Sequence, residues 1–193
     1  KTKKGMVLFD TDEHPRADTS MESLGKLKPA FKKDGSVTAG NASGLNDAGS
    51  CMIMMAAEKA KEMGIKPIAR VVASAPGSVE PRIMGMGVVP AVHNALKFAK
   101  MKLADIDYFE FNEAFAAQVL ACLKEFELQG TPVDMEKLNP NGGAIAFGHP
   151  NGMSGTRLAM FTISELKRKG GKYGIASLCI GGGQGLATIF ERL

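Results

Sequence analysis

From Lys66 to Leu193 the chain alternates between strand-like and helix-like segments, and glycine or proline marks most of the junctions. "KPIARVVASA" reads as a strand, "VVPAVHNALKFAKM" as a helix, "IDYFEFN" as a strand and "EAFAAQVLACLKEFEL" as a helix. "NPNGGAIAFGHP" reads as a glycine-rich loop and "SGTRLAMFTISELKRKG" as a helix, while "YGIASLCIGGGQGLATIFERL" reads as two strands joined by a glycine turn. Strands interleaved with helices can bury their apolar sides only by forming a sheet that the helices cover, so the expected fold class is α/β and layered.

Composition supports a core of that kind. The chain has 193 residues, 45% of them hydrophobic, which is enough for a substantial domain or two small ones. Tryptophan is absent and aromatics are 6%, so Ala, Val, Ile, Leu and 12 Met must fill the interior between turns supplied by 23 Gly. The net charge of +4 is mild, and no basic run is interleaved with aromatics. That pattern argues against a nucleic-acid surface and fits a small anionic partner better. Cys51, Cys122 and Cys179 lie in separate segments without CxxC spacing, so neither a disulfide framework nor a metal site is indicated. A reducing, cytoplasmic setting is the expectation. No apolar stretch reaches the roughly 20 residues of a membrane span, and the basic "KTKKG" is not followed by a signal-type apolar run.

The chain divides into three parts. Residues 1–45 are polar and loop-rich, with a strand-like run at Met6 to Phe9 and a short helix in "TSMESLGKL" capped by Thr19 or Ser20. Residues 46–66 form a small and apolar run that becomes amphipathic and ends at Gly64 as helices do. Residues 67–193 carry the α/β alternation. No internal repeat is evident.

Three segments place a polar or ionisable group where a strand or helix ends beside glycines. Asn112 and Glu113 of "FNEAFAA" stand at a strand-to-helix junction, where Asn also serves simply as an N-cap. His149 of "GGAIAFGHPNGMSG" precedes a proline among glycines that let the backbone approach a ligand; a loop histidine is also often structural. Cys179 of "SLCIGGGQG" closes an apolar strand, where a cysteine is ordinarily a small hydrophobe. The glycines after it can present N–H groups to an anion or oxyanion. An amide, an imidazole, a thiol and a donor-lined loop together suit enolate or tetrahedral-oxyanion chemistry.

The motifs "TAGNASGLNDAGS", "FNEAFAAQ", "NPNGGAIAFGHPNGMSGTR" and "LCIGGGQG", in this order and across essentially the whole chain, resemble those of the thiolases, the acetyl-CoA acetyltransferase and 3-ketoacyl-CoA thiolase family. The resemblance implies a thiolase-like layered fold: a mixed sheet with helices on its faces, forming the C-terminal half of a two-fold-repeated architecture. It implies that residues 1–45 end a loop domain that binds coenzyme A, that 46–66 return to an N-terminal domain, and that 67–193 are the C-terminal domain. His149 would activate the acylated cysteine and help hold the thioester oxygen. Asn112 would position a water completing that oxyanion site. Cys179 would be the acid/base thiol, and the N–H of Gly181 would serve a second oxyanion. Arg16, Ser23, Phe31 and Ser43 would contact coenzyme A, and Met84 and Phe115 would meet the substrate. Physically, Arg16 and the lysines near Phe31 can meet phosphates while Phe31 offers its face to adenine. No separate cofactor is implied, because coenzyme A thioesters are the substrates.

The same resemblance exposes departures. Thiolases are about twice this length, and their nucleophilic cysteine lies in a first half absent from these residues; the expected partners are therefore that half, acyl-CoA or CoA, and further copies in a homodimer or homotetramer. Cys51 and Cys122 sit in apolar runs that suit structural thiols. "NDAGS" stands where "NDGA" is usual, and Phe147 stands where a smaller aliphatic residue is common. The expected activity is Claisen condensation of acetyl-CoA or thiolysis of a 3-ketoacyl-CoA, with the isolated chain inactive. The alternative is a non-catalytic acyl-CoA-binding or assembly domain.

Overall fold

The computed structural model describes residues 5–193. Its centre is a four-stranded sheet in the order β1-β4-β3-β2, built from β1 (Ala69–Ser78), β2 (Tyr108–Phe111), β3 (Tyr173–Gly181) and β4 (Gln184–Arg192). β4 runs antiparallel to both β1 and β3, whereas β2 runs parallel to β3, so the sheet is mixed. The parallel pair needs a crossover, which the long α6 (Ser154–Lys169) supplies. β1 is an edge strand, which explains why Pro76 is tolerated inside it.

Strand alternation sends neighbouring residues to opposite faces. Ala75, Ile175, Ala187 and Ile189 join one core with α3 (Val88–Ala99) and with Cys122 and Phe126 of α4 (Ala116–Leu128). Ala176 and Phe190 join a second core with Leu158, Ala159 and Ile163 of α6. Helices therefore cover both faces, the layered α/β arrangement expected from the alternation. α6 ends where Gly170 adopts a left-handed φ of 76°, after Lys167, Arg168 and Lys169 have placed positive charge on its carbonyl end.

The front of the chain departs from expectation. Met6 to Phe9 form no strand and their side chains are exposed, because no described strand offers them a ladder. α1 (Met21–Gly25) is capped by Ser20, with Ser23 returning the bond in a capping box. The apolar run after Leu45 is irregular until α2 (Ala57–Glu62), and Gly64 follows that helix with a φ of 66°. Leu45, Ile53 and Met54 point into solvent, so no packed face stabilises a longer helix. Within the "NPNGGAIAFGHP" loop, the single-turn α5 (Ala144–Phe147) is a further difference.

Candidate active site

β2 and β3 run side by side, and their C-terminal ends carry the chemistry. The backbone N–H of Asn112, one residue past β2, donates to Ser177 O at 2.9 Å. Cys179 lies two residues further along β3, so Asn112 and Cys179 are held at neighbouring strand ends. A β-bulge between Cys179 and Gly181 then leads into Gly181, Gly182 and Gly183, whose φ values of 94°, 60° and 85° require glycine.

The loop carrying His149 is fastened to β2 by side-chain amides. Asn139 accepts the Phe111 N–H through Oδ1 at 2.9 Å and donates through Nδ2 to Phe111 O at 2.9 Å, imitating a missing strand. Its Nδ2 also meets Glu113 Oε1 at 2.8 Å, and Glu113 Oε2 accepts the Ile145 N–H at 3.3 Å. From the other side, Asn46 Oδ1 accepts the His149 N–H at 3.1 Å. A Cβ at Gly148, whose φ is 97°, would lie 2.3 Å from that oxygen, so this position needs glycine for both space and backbone angle.

These contacts bring Asn112 Nδ2 to 3.2 Å from His149 Nε2, while His149 Nδ1 lies 2.6 Å from Ser154 Oγ. Ser154 Oγ donates to Pro150 O at 3.1 Å, which leaves its lone pair to accept from Nδ1–H. The network thus assigns the proton to Nδ1 and an accepting lone pair to Nε2. Burial and then the nearby Arg157 guanidinium hold the His149 imidazole below its ordinary range, which favours its neutral form. Burial pushes the half-buried Cys179 thiol upward, which favours its protonated form in this state.

The remaining sequence-derived positions fall at different distances from this centre. Phe115 precedes α4, half-buried, and meets Phe31 edge-on with ring centroids 5.8 Å apart. Ser43 donates its N–H to Ala114 O at 3.0 Å, so "NASG" lies directly against "NEAF". Met84, half-buried, lies in the 3-10 segment Pro81–Gly87, which packs on β3, β4 and α4. Arg16 is exposed, two residues beyond His14, whose Nε2 donates to Ile145 O at 3.0 Å. Ser23 is exposed, and its hydroxyl is engaged in the cap of α1. Phe31, Ser43 and Phe115 are thus brought together, whereas among the described residues Arg16 and Ser23 make only local hydrogen bonds.

The other two cysteines differ from Cys179. Cys122 is fully buried and donates to Gly85 O at 3.4 Å, and burial pushes its thiol up to about 11; Cys51 is exposed. Among the described residues no group of His, Cys, Asp or Glu is placed to hold a metal ion, and no helix is long and apolar enough to cross a membrane. Asn46, Asn139, Ser154 and Arg157 are functional neighbours that residue-by-residue reading missed. Their signal was the concentration of polar side chains inside glycine-rich, otherwise apolar motifs.

The profile of the family described as "Thiolase, C-terminal domain" matches residues 65–192, and that of "Thiolase, N-terminal domain" matches residues 1–58. This chain belongs to the thiolase family. An acetyl-CoA acetyltransferase of Syntrophomonas wolfei is 54% identical over 193 residues, covering 100% of this chain and 48% of the relative. The crystal structure of the Bacillus anthracis acetyl-CoA acetyltransferase superposes with a TM-score of 0.91 at 51% identity, covering 100% of this chain and 48% of that one. That of human mitochondrial 3-ketoacyl-CoA thiolase in complex with CoA gives 0.86 at 45% identity, covering 96% and 46%. The chain therefore spans about half the length of the thiolases it matches.

Proposed function

We propose that these residues form the C-terminal half of the active site of a CoA-dependent acyltransferase, which joins two acetyl-CoA units or cleaves a 3-ketoacyl-CoA with CoA. The observation that carries this reading is the hydrogen-bonded Asn112–His149 pair, its Nε2 lone pair directed away from Ser154, at the strand ends that also hold Cys179. A neutral imidazole with that tautomer can take the proton of an incoming or resident thiol and return it to a leaving thiolate. In cleavage, a nucleophilic thiolate from the complementary half attacks the 3-keto carbon. The bond between the two acyl units then breaks, and Cys179 gives its proton to the departing enolate carbon. CoA thiol next gives its proton to the Cys179 thiolate and attacks the acyl-enzyme, releasing the second thioester and restoring the nucleophilic thiolate. Condensation runs these steps in reverse, with Cys179 removing the α-proton. Amide N–H groups, among them that of Gly181, stabilise the oxyanions.

In the same reading Arg16, Ser23, Phe31 and Ser43 meet CoA, Met84 lines the acyl pocket and Phe115 meets the substrate. The first 45 residues finish a CoA-binding loop domain, residues 46–66 pack in the N-terminal domain, and the complete enzyme is a homodimer or homotetramer. Cys51 and Cys122 are not the nucleophile. The test is acetoacetyl-CoA cleavage with added CoA, using the purified chain with and without a separately made N-terminal half. The chain alone should be inactive, and activity should rise with the concentration of the partner half. Robust turnover by the chain alone would overturn the assignment of the nucleophile. CoA binding without turnover in any well-docked mixture would favour a non-catalytic acyl-CoA-binding domain.

A further inference from the structure

Behind the Asn112–His149 pair lies a buried group that the proposed chemistry does not use. Arg157, on the first turns of α6, is almost entirely buried; its Nη1 donates to Gly148 O at 2.9 Å and its Nη2 reaches Asn112 Oδ1 at 3.5 Å. One guanidinium thus spans the backbone immediately before His149 and the amide that hydrogen-bonds His149. Its Nε has no partner, and its plane lies over the Phe161 ring at 5.7 Å from the centroid. Removing such a charge from water is costly, and it requires compensation nearby.

β2 carries a buried carboxyl on the side that meets α6. Phe109 and Phe111 face one core, so the residues between and beside them, Tyr108 and Glu110, face α6. Glu110 is completely buried; its Oε2 accepts from Tyr108 OH and its Oε1 has no partner. No direct ion pair joins it to Arg157, yet each acts on the other electrostatically. Glu113 and Glu165 contribute to the same field, and Glu165 is itself held by Arg168 and by Asn141 of the His149 loop.

We infer that Arg157 is the positioning residue of the site: it holds the Asn112 carboxamide with its Nδ2–H toward His149 and so supports the imidazole tautomer that Ser154 accepts. This inference deepens the acyltransferase reading and rests on it for the meaning of the pair. The rigid fork matters, because two acceptors on different elements, Gly148 O and Asn112 Oδ1, are engaged by two nitrogens of one planar group. A lysine supplies the charge without the fork. With Arg157 absent, the Asn112 amide is free to turn its oxygen toward Nε2, which favours the other tautomer.

The experiment reads the imidazole directly, by long-range 1H–15N correlation spectra of the 15N-labelled chain across pH, with His14 and His93 as internal references. Wild-type His149 should show protonated Nδ1 and unprotonated Nε2; the opposite tautomer would overturn the inference without any variant. Arg157→Lys should move both nitrogens toward averaged positions while keeping the charge. Arg157→Met should raise the pKa of His149, because one of the two causes that depress it is gone. An unchanged tautomer and pKa in folded Arg157 variants would refute the positioning role. Should those variants fail to fold, Asn112→Ala, which removes the amide through which Arg157 acts and leaves Ser154 in place, decides it: a His149 tautomer unchanged from wild type would refute the positioning role. None of these readouts needs turnover, so the outcome is independent of the cleavage assay.

Discussion

Residues 5–68 and residues 69–192 use similar apolar side chains and reach opposite outcomes. In the second region Val88, Val92, Ile175 and Ile189 are fully buried between a sheet and its helices. In the first, Met6, Leu45, Ile53 and Met54 are exposed, and the only helices are α1 and α2, of 5 and 6 residues. The difference teaches that apolar content makes a core only when the alternation of elements supplies a facing layer. The front region is anchored to the site by a few long-range hydrogen bonds, those of His14, Asn41, Ser43, Asn46 and Ser50 among them. In the proposed enzyme it grips the substrate, and the back region performs the chemistry.

The largest expected effect tests that division of labour. In the reconstituted enzyme, His149→Ala should lower single-turnover acylation and condensation by roughly two to four powers of ten. Arg16→Ala should chiefly raise the KM for CoA. Equal losses of kcat in both variants would break the contrast. Cys179→Ser separates the steps further: α-proton exchange of acetyl-CoA should collapse while acylation of the nucleophile survives, a pattern that single-turnover and deuterium-exchange measurements resolve.

Stability sharpens the same comparison. Phe126→Ala, in the fully buried cluster of α4 with Phe111, should cost about 3–5 kcal/mol in urea unfolding. Glu110 adds a pH dependence confined to the back region. Its carboxyl is raised from 4.5 to about 7, so the fold favours the protonated form. That contribution is full below the ordinary carboxylate range and is lost as pH rises through about 7. Wild type should therefore lose stability relative to Glu110→Gln between about pH 5 and about pH 8, on the order of a few kcal/mol, as urea midpoints would show. The smallest effect belongs to the front: Ile53→Ser should change unfolding by no more than about 0.5 kcal/mol while reducing self-association measured by light scattering.

The alternation that gave the layered fold was legible because periodicity is local. Helical caps were equally legible, since Ser20 and Gly170 act within a turn of their own positions. His149, Asn112 and Cys179 could be singled out as polar residues beside glycines, but their separate bland readings could be weighed only once they were seen together. Met6 to Phe9 carry the residues of a strand but find no ladder, and in the apolar run after Leu45 only Ala57–Glu62 is helical, ending just before Gly64 as its sequence implies.

What the sequence determined alone was the order of elements and the chemical types available, because both follow from interactions within a few residues. What the tertiary structure decided was which groups meet. The Asn112–His149 bond spans 37 positions and the Asn46–His149 bond spans 103, and both depend on the parallel register of β2 against β3 and on Asn139 completing the edge of β2. Burial of Arg157 on α6 and of Glu110 on β2 has the same origin: it is fixed by which face of β2 meets α6, and packing between distant segments sets that geometry.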